Sequence, residues 1–273
     1  MARRKLRNME EFSAVTGLSR PTVSKDFADP ASVRASTRAR IEAALETYAY
    51  RPSFLAQNQN RRRPRTLALV VPTLSDPFYA ELVRRIETEA AERGLTALTL
   101  ASHGLPADEA RAIEMARALN IGGVILSPLG AASDAEAIAA LGAEVPTLLV
   151  DSLVAGDHAF LATDHGQGIA LITEYLAETG SAPCYIDMPA VNSTGAERRA
   201  GYEAAMRARG LVPRVVENPH VGWDFEAQGR AMARAAFAGA GFASSTILCG
   251  NDRFAIGVLA AAPFSLRPLA RAR

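Results

Sequence analysis

The sequence predicts two structural classes in one chain: an all-α helix-turn-helix head, followed by an α/β core built on parallel sheets. Helix caps and apolar stripes fill residues 8–50, and from Thr66 onward short apolar runs alternate with amphipathic segments. The 273 residues suffice for about two domains. An apolar content of 49% and a charged content of 22% are typical of a globular protein with a sizeable core.

The near-neutral total charge of +1 hides a division along the chain. Residues 1–65 hold 14 Lys and Arg against 6 Asp and Glu, a net charge of +8. Residues 66–273 hold 16 against 23, a net charge of −7. A basic head on an acidic body is typical of proteins that bind a polyanion. Charge alone is equally consistent with a basic surface that contacts only solvent.

Several classes of protein are excluded by composition. No apolar run approaches the ~20 residues of a membrane span, and Arg3 and Arg4 are not followed by the apolar stretch of an export signal. Cys184 and Cys249 are too isolated for a disulfide framework or a zinc ribbon. The cytoplasm is therefore the simplest compartment.

Catalytic motifs are also missing from the sequence. Neither Lys5 nor Lys25 follows a glycine-rich loop, and neither G-x-G-x-x-G nor G-x-S-x-G occurs. The histidines show no metal-ligand spacing, so we expect each to lie in a loop or on the surface. They are His103, His158, His165 and His220. The sequence thus predicts no metal, no cofactor and no enzymatic activity.

The first helix of the head is predicted between two clear signals. Asn8 can cap its N-terminus, with Glu11 placed as in a capping box. Gly17 ends it, because glycine adopts a left-handed conformation without a Cβ penalty. Only Leu18 then precedes Ser19, a good N-cap for the second helix.

The second and third helices complete a three-helix core. Val23 and Phe27 of the second helix face inward, and the third carries Ile41, Leu45 and Tyr48 on one stripe. Two helices joined by a tight glycine turn are typical of helix-turn-helix DNA readers. The exposed face of the second helix offers hydroxyls and cations suited to phosphates and base edges. On pattern alone, any three-helix module with a polar face remains the alternative.

Three motifs at matching spacing resemble the head of lactose-repressor (LacI/GalR) family regulators. Residues 17–25, G-L-S-R-P-T-V-S-K, resemble the family's G-V-S-x-x-T-V-S-R. Residues 33–38 resemble its V-S-x-x-T-R, and residues 50–53 its Y-x-P-N. The match runs without gaps from Met9 to about Asn60. The resemblance implies a homodimer that places one recognition helix per half-site in the major groove of a near-palindromic double-stranded DNA operator.

The resemblance also implies which residues contact DNA. They are Ser19, Arg20, Pro21, Thr22, Ser24, Lys25, Tyr50, Ser53, Ala56 and Gln59. Arg20 and Pro21 occupy the positions that vary with operator specificity in the family. Asp26 departs from the pattern, because the family usually has an apolar or aromatic residue there. We expect its carboxylate to lie near phosphates and to repel them.

Residues 52–60 resemble the family's hinge, a short segment that folds on DNA and enters the minor groove. Gln59 stands where family members usually carry a leucine that wedges between base pairs, so we expect no wedge here. The arginines that follow, including Arg61 and Arg65, are suited to attracting phosphates.

From Thr66 the pattern is typical of repeated βα units, which form parallel sheets covered by helices on both faces. The predicted strands are Leu67–Val71, Leu95–Leu100, Gly123–Leu126, Thr147–Val150, Tyr185–Met188 and Thr246–Cys249. The predicted helices are Phe78–Arg93, Ala107–Leu119, Ile169–Glu178, Glu197–Arg209 and Glu226–Phe237. Ligands of such folds bind beyond the carboxyl ends of the strands.

This body resembles the family's core, which is similar to periplasmic sugar-binding proteins and has two α/β subdomains that close on a small ligand. The matching segments are residues 69–79, 163–166, 196–202 and 250–257. By that resemblance the effector would contact Phe78, Asp151, Arg198 and Asn251. An aromatic face, a carboxylate, a guanidinium and an amide suit a small polyol such as a sugar.

Each effector residue also has a simpler interpretation. Asp151 could cap a helix, Phe78 could pack in the core, and Arg198 could lie on a solvated helix face. The motif context favours effector contact for Asp151, Arg198 and Asn251, and less strongly for Phe78. Trp223 precedes the Glu226–Phe237 helix near where the family lines its cleft, so its fluorescence could report binding.

The resemblance ends near residue 262. The helix that starts near Asp252 meets Pro263, which interrupts helices, whereas family members continue well beyond this point. We therefore expect a C-terminal subdomain that is incomplete, with weakened dimerisation. The domains are predicted as a head at 1–51, a hinge and basic linker at 52–65, and an effector-binding and dimerisation core at 66–273.

The favoured function is a transcriptional repressor whose affinity for its operator is set by a small effector. One alternative is a sugar-binding protein without a DNA function, against which the basic head argues. Another is an enzyme on the α/β core, against which the missing phosphate loop and acid–base cluster argue.

Overall fold

The computed structural model describes residues 3–51, 64–189 and 191–262. Three of the predicted DNA contacts, Ser53, Ala56 and Gln59, lie outside the described residues. So do most of the predicted hinge and the C-terminal segment that follows Ala262.

The head contains the three predicted helices. They are α1 (Met9–Thr16), α2 (Arg20–Ala28) and α3 (Ala35–Thr47), with a short 3-10 turn at Pro30–Ser32 between the last two. The Asn8 side chain accepts a hydrogen bond from the Glu11 N–H at 2.9 Å, so it caps α1 as predicted. Gly17 ends α1 with a φ of 60°, in the left-handed region that favours glycine.

Aromatic stacking closes the head. Phe12, Val23 and Ile41, one residue from each helix, are fully buried. The ring of Tyr50 stacks on Phe12 with centroids 4.5 Å apart. Tyr48 packs against the head core as predicted, but its predicted place on the third helix was wrong, because α3 ends at Thr47 and Tyr48 begins a two-residue strand. That strand, β2 (Tyr48–Ala49), pairs in parallel with β1 (Arg4–Lys5) and ties the two ends of the head together.

The first part of the core is a parallel five-stranded sheet. Its strands are β3 (Thr66–Val71), β4 (Thr96–Ala101), β5 (Gly123–Leu126), β6 (Thr147–Val150) and β7 (Ala159–Leu161), in the order β4-β3-β5-β6-β7. Its helices are α4 (Pro77–Glu92), α5 (Pro106–Ala118) and α6 (Ala135–Glu144). In β3, Ala68 and Val70 pack in one apolar cluster and Leu69 and Val71 in another. Because neighbours on a strand point to opposite faces, both faces of this sheet are covered.

The second part of the core repeats the plan on a smaller scale. Its described strands are β8 (Cys184–Ile186), β9 (Val215–Val216) and β10 (Ile247–Cys249), parallel and in the order β10-β8-β9. Its helices are α7 (His165–Thr179), α8 (Ser193–Ala208), α9 (Phe225–Ala238) and α10 (Asp252–Ala261). Tyr185 packs with Tyr202 of α8, whereas its neighbour Ile186 packs with Phe254 of α10, so this sheet also has helices on both faces.

The predicted βα order and parallel sheets are confirmed. The strand predicted at Tyr185–Met188 is shorter, since its pairing ends at Ile186. No helix in the described residues is long and apolar enough to cross a membrane.

Candidate functional site

The recognition-helix candidate presents its cations outward. Arg20, Pro21 and Lys25 of α2 are exposed, while Thr22 and Ser24 are half-buried. Within the described part of the chain, neither Arg20 nor Lys25 has a carboxylate within ion-pair distance. Both charges therefore face solvent, where a polyanion can reach them.

The hydroxyl of Ser19 serves the helix end. It lies 2.8 Å from the Thr22 hydroxyl and accepts a hydrogen bond from the Thr22 N–H at 3.4 Å. Ser19 is thus the N-cap of α2, as its residue type predicts. Ser19 and Thr22 hold each other at the surface that carries Arg20.

Two residues of the head are largely buried, and for Asp26 this differs from expectation. Asp26 is only 5% exposed, because it lies one turn after Val23 on the inner face of α2. Its carboxyl therefore faces the head interior and not DNA phosphates, and burial raises its pKa. Tyr50 is 9% exposed and its ring stacks on Phe12, so the ring stabilises the head core, and its contact with DNA stays a prediction.

A cavity of about 380 Å³ lies between the two parts of the core, beyond the carboxyl ends of strands from both sheets. All four predicted effector residues line it. Phe78 lies in the first turn of α4, and Asp151 directly follows β6. Arg198 lies on α8, and Asn251 follows β10. The structure thus brings together residues that are up to 173 positions apart in the chain.

Two helix caps orient groups at the cavity. Asp76 Oδ1 accepts a hydrogen bond from the Phe78 N–H at 2.9 Å and caps α4. Asn251 Oδ1 accepts from the Phe254 N–H at 2.7 Å and caps α10. Because its oxygen accepts from the helix, the amide N–H groups of Asn251 are left as donors for a ligand.

Asp151 is fixed in an uncommon backbone conformation. Its φ of 67° lies in the left-handed region, which costs free energy for a residue other than glycine. Its Oδ2 accepts a hydrogen bond from the Tyr79 hydroxyl at 2.9 Å, and that hydroxyl accepts another from Ser127 at 3.1 Å. Burial, and to a lesser degree the Asp151 charge, raise the pKa of Tyr79, so the phenol stays a donor. The simpler interpretation of Asp151 as a helix cap is not what the structure shows.

Arg198 and His165 meet on the opposite wall of the cavity. Arg198 Nη2 lies 3.2 Å from His165 Nδ1, and its Nη1 lies 3.3 Å from the Met188 sulfur. Among the described residues Arg198 has no carboxylate within ion-pair distance. The expectation for His165 was wrong: it begins α7, is 8% exposed and lines the cavity, because the chain crosses between the sheets at this point.

An ion pair crosses from one part of the core to the other. Arg253 Nη1 of α10 lies 3.6 Å from Asp76 Oδ2 at the start of α4. Arg253 Nε lies 3.5 Å from Glu226, and the guanidinium lies over the Phe225 ring at 5.6 Å. Arg253 is only 7% exposed, so this pair is shielded from solvent and bears on how the two parts fit together.

Aromatic side chains complete the lining. Trp223 lines the cavity, as its sequence position suggested. Its ring packs against Phe225, with the two ring centroids 5.6 Å apart. It also contacts the first part of the core, since a Cβ on Gly104 would lie 2.6 Å from the Trp223 ring. Sequence reasoning missed Tyr79, His165 and Phe225. The signal for Tyr79 was its place beside Phe78 after the first strand.

The described residues contain no group of His, Cys, Asp and Glu that could hold a metal ion. The polar lining instead combines donors and acceptors with aromatic faces. Such a set can bind a small molecule that bears several hydroxyl groups.

Comparisons with known proteins agree with this geometry. A family model described as periplasmic binding proteins and sugar binding domain of LacI family matches residues 64–265. The ribose operon repressor of Escherichia coli (strain K12) is 27% identical over 252 residues, which cover 92% of this chain and 76% of that protein. The transcriptional repressor CytR of the same strain is 34% identical over 90 residues, 33% of this chain and 26% of CytR.

A solved structure shares the whole arrangement. The lac repressor dimer bound to operator and the anti-inducer ONPF superposes with a TM-score of 0.73 at 20% identity. The superposition covers 93% of this chain and 77% of the lac repressor chain. At that identity the likeness establishes the fold, including the helical head and the two-part core.

Proposed function

The chain belongs to the LacI family of periplasmic-binding-protein-like regulators, and we propose that it is a DNA-binding transcriptional repressor controlled by a small sugar-like effector. The observation that carries this proposal is the pairing of two sites in one chain. An exposed cation face on α2, with no carboxylate within ion-pair distance among the described residues, lies at one end. At the other, a cavity is lined by Asp151, Arg198 and Asn251.

The partners follow from each site. The head, residues 1–51, binds a near-palindromic double-stranded DNA operator through Arg20, Lys25 and their neighbours on α2. The segment 52–65 acts as hinge and basic linker, and the core from residue 66 binds the effector. The protein acts as a homodimer, since a near-palindromic site is matched by a two-fold arrangement of heads. Because its target is chromosomal DNA, we place it in the cytoplasm.

The effector is a small neutral polyol such as a sugar. Its hydroxyls donate to Asp151 and accept from Arg198 and the Asn251 amide, while Phe78 and Trp223 cover its apolar face. A neutral polyol suits this lining, because the cavity presents both the Asp151 carboxylate and the Arg198 guanidinium, and a hydroxyl-bearing ligand can donate to the first and accept from the second.

Regulation is a shift between two arrangements of the core. The cavity joins the two sheets, so a ligand bound there makes contacts that depend on how the sheets are placed relative to each other. An effector changes operator affinity only as far as it binds the two arrangements differently.

The test combines DNA selection with ligand screening on the purified full chain. We expect enrichment of one near-palindromic duplex from a random library, and a rise in melting temperature with at least one of D-ribose, D-xylulose and myo-inositol. Sugar binding without any enriched duplex would support the alternative of a sugar-binding protein. Enrichment without any small-molecule response would contradict control by an effector of this class.

A further inference from the structure

His165 joins the two charged effector candidates. Its Nδ1 lies 3.2 Å from Arg198 Nη2 on α8, and its Nε2 lies 3.4 Å from Asp151 Oδ1 after β6. The Thr163 hydroxyl is 3.3 Å from the same Nδ1. The imidazole is more than nine-tenths buried and lines the cavity. It therefore bridges a residue of the first sheet and a residue of the second part of the core.

The neighbours of the ring fix where its proton lies. A guanidinium can only donate hydrogen bonds, so Nδ1 must accept from Arg198. The proton of the neutral ring is then on Nε2, which points towards Asp151. Nε2 is shielded from solvent and lacks a well-aligned hydrogen bond among the described residues, although the carboxylate lies only 3.4 Å away. A small displacement of either wall would complete that bond.

Asp151 is held from its other side as well. Its second oxygen accepts from the Tyr79 hydroxyl at 2.9 Å, and its left-handed backbone restricts the direction of the side chain. Within the described residues Arg198 by contrast has no carboxylate at ion-pair distance, and its side-chain partners there are the His165 imidazole and the Met188 sulfur. The orientation of the Arg198 guanidinium therefore depends strongly on His165. The orientation of the Asp151 carboxylate depends on His165 less, because Tyr79 and the backbone also hold it.

We propose that His165 is the positioning residue of the effector cavity. As the neutral Nε2–H tautomer, it sets the distance and orientation between the Arg198 donors and the Asp151 acceptor, and so selects effectors whose hydroxyls match that spacing. This inference rests on the proposed function for the ligand it names. The tautomer and the contact with Arg198 are properties of the protein alone.

The first experiment therefore needs no ligand. Nitrogen-15 NMR of the ligand-free full chain reports which ring nitrogen of His165 carries the proton. We expect the Nε2–H tautomer in the wild type. In Arg198→Leu we expect the Nδ1 resonance to move towards that of a nitrogen with a weaker hydrogen bond, because the guanidinium donor is lost. An Nδ1–H tautomer in the wild type, or an unchanged ring in Arg198→Leu, would overturn the proposal.

The second experiment separates the two contacts by substitution. An Asn amide oxygen can take the place of Nδ1, and a Gln amide nitrogen can take the place of Nε2. We expect His165→Asn to keep the orientation of Arg198 and to bind D-ribose, D-xylulose or myo-inositol within about threefold of the wild type. His165→Gln and His165→Leu should weaken binding about tenfold or more, the value of one charged hydrogen bond.

The control is the exposed His220, which lies outside the cavity lining. His220→Leu should leave both the affinity and the His165 spectrum unchanged. Equal affinities for wild type and His165→Leu would overturn the role of His165. Failure of the wild type to bind any of the three sugars would instead count against the proposed function, and the tautomer measurement would still decide the contact with Arg198.

Discussion

At the scale of single residues, Arg20 and Lys25 share the exposed face of α2 but differ in what they can recognise. The planar guanidinium of arginine can contact a guanine edge with two hydrogen bonds, whereas the lysine ammonium is a point charge suited to phosphate. We predict that Arg20→Ala changes base preference, while Lys25→Ala weakens binding to every duplex and lowers the salt slope by about 1. Anisotropy titrations with single-base operator variants at several salt concentrations measure both effects.

The same titrations can also contradict this prediction. Equal losses of affinity that do not depend on sequence, in both variants, would show that Arg20 does not read bases. Arg38→Ala is a suitable control, because Arg38 is an exposed arginine of the head that lies on α3 and pairs with Glu42 at 2.8 Å.

Asp26 allows a prediction about pH. Burial raises the pKa of its carboxyl above the ordinary value of 3.8. A carboxyl with a raised pKa in the folded state favours folding below its ordinary pKa, and this contribution is lost as the pH rises through the raised pKa. The head should therefore lose stability over that range of rising pH. We predict that Asp26→Leu removes this loss and stabilises the head by about 1 kcal/mol at pH 7.

Thermal melting of the full chain at pH 4 and pH 7, followed by circular dichroism, tests this difference. Asp26→Asn removes the charge and keeps the size, so it separates the electrostatic part from the gain in apolar packing. If wild type and Asp26→Leu shift equally between the two pH values, the buried carboxyl is not the cause.

The position of His165 could not be predicted from the residues around it in the sequence. A histidine outside any metal motif is usually a loop or surface residue, and although residues 163–166 resemble a segment of the family core, that resemblance implied no role for His165. Its burial results from the chain crossing between the sheets at the start of α7, next to Asp151 and Arg198. Such a contact depends on three distant segments, so local pattern could not predict it.

At the scale of elements, the N-terminus of α4 combines a cap with a contact across the core. Asp76 Oδ1 accepts from the Phe78 N–H, while its Oδ2 faces Arg253 at 3.6 Å. Asp76→Asn can keep the cap but loses the charge, and Asp76→Ala loses both. We predict that the Asn variant is destabilised and that the Ala variant is less stable than it by about 1 kcal/mol, the usual value of an N-cap.

Urea denaturation of the full chain measures both free energies of unfolding. Asp134→Ala is the matched control, because Asp134 caps α6 through the Ala137 N–H and forms no ion pair within the described residues. Asn and Ala variants of equal stability would show that Asp76 acts through its charge alone.

The elements themselves differ in how well sequence predicts them. The strand predicted at Leu67–Val71 and the helix predicted at Phe78–Arg93 lie within one residue of the observed ends, because an apolar run or stripe is buried along the whole element. Strand β7 was missed because all three of its residues are exposed. Helix α6 was missed because its Ala-rich sequence buries only Ile138 and Leu141.

At the scale of the whole molecule, the cavity is where the two parts of the core meet. The Asp76–Arg253 pair and the packing of Trp223 on Gly104 both join them. The family motifs located Phe78, Asp151, Arg198 and Asn251, since these follow strands whose carboxyl ends converge. They did not locate the partners that hold those residues, such as Tyr79, because partners depend on how the sheets face each other.

This arrangement predicts a separation of functions. Asp151 and Arg198 line the cavity in the core, whereas the DNA-contact candidates lie in the head. Asp151→Ala and Arg198→Ala should therefore abolish the effector response and leave operator binding within about threefold of the wild type. Arg207→Ala is the control, an exposed arginine on the same helix as Arg198 that pairs with Glu203 at 2.7 Å.

The central claim is that one chain couples the cavity to DNA, and one measurement tests it most directly. The affinity for the selected operator duplex is measured with and without the sugar that raises the melting temperature most, in wild type, Asp151→Ala and Arg198→Ala. We predict that the sugar changes wild-type affinity by a factor of about 5 to 150 and leaves both variants unchanged. A full response in the variants would place the effector site elsewhere. A wild-type operator affinity that does not change when the sugar is bound would contradict the coupling.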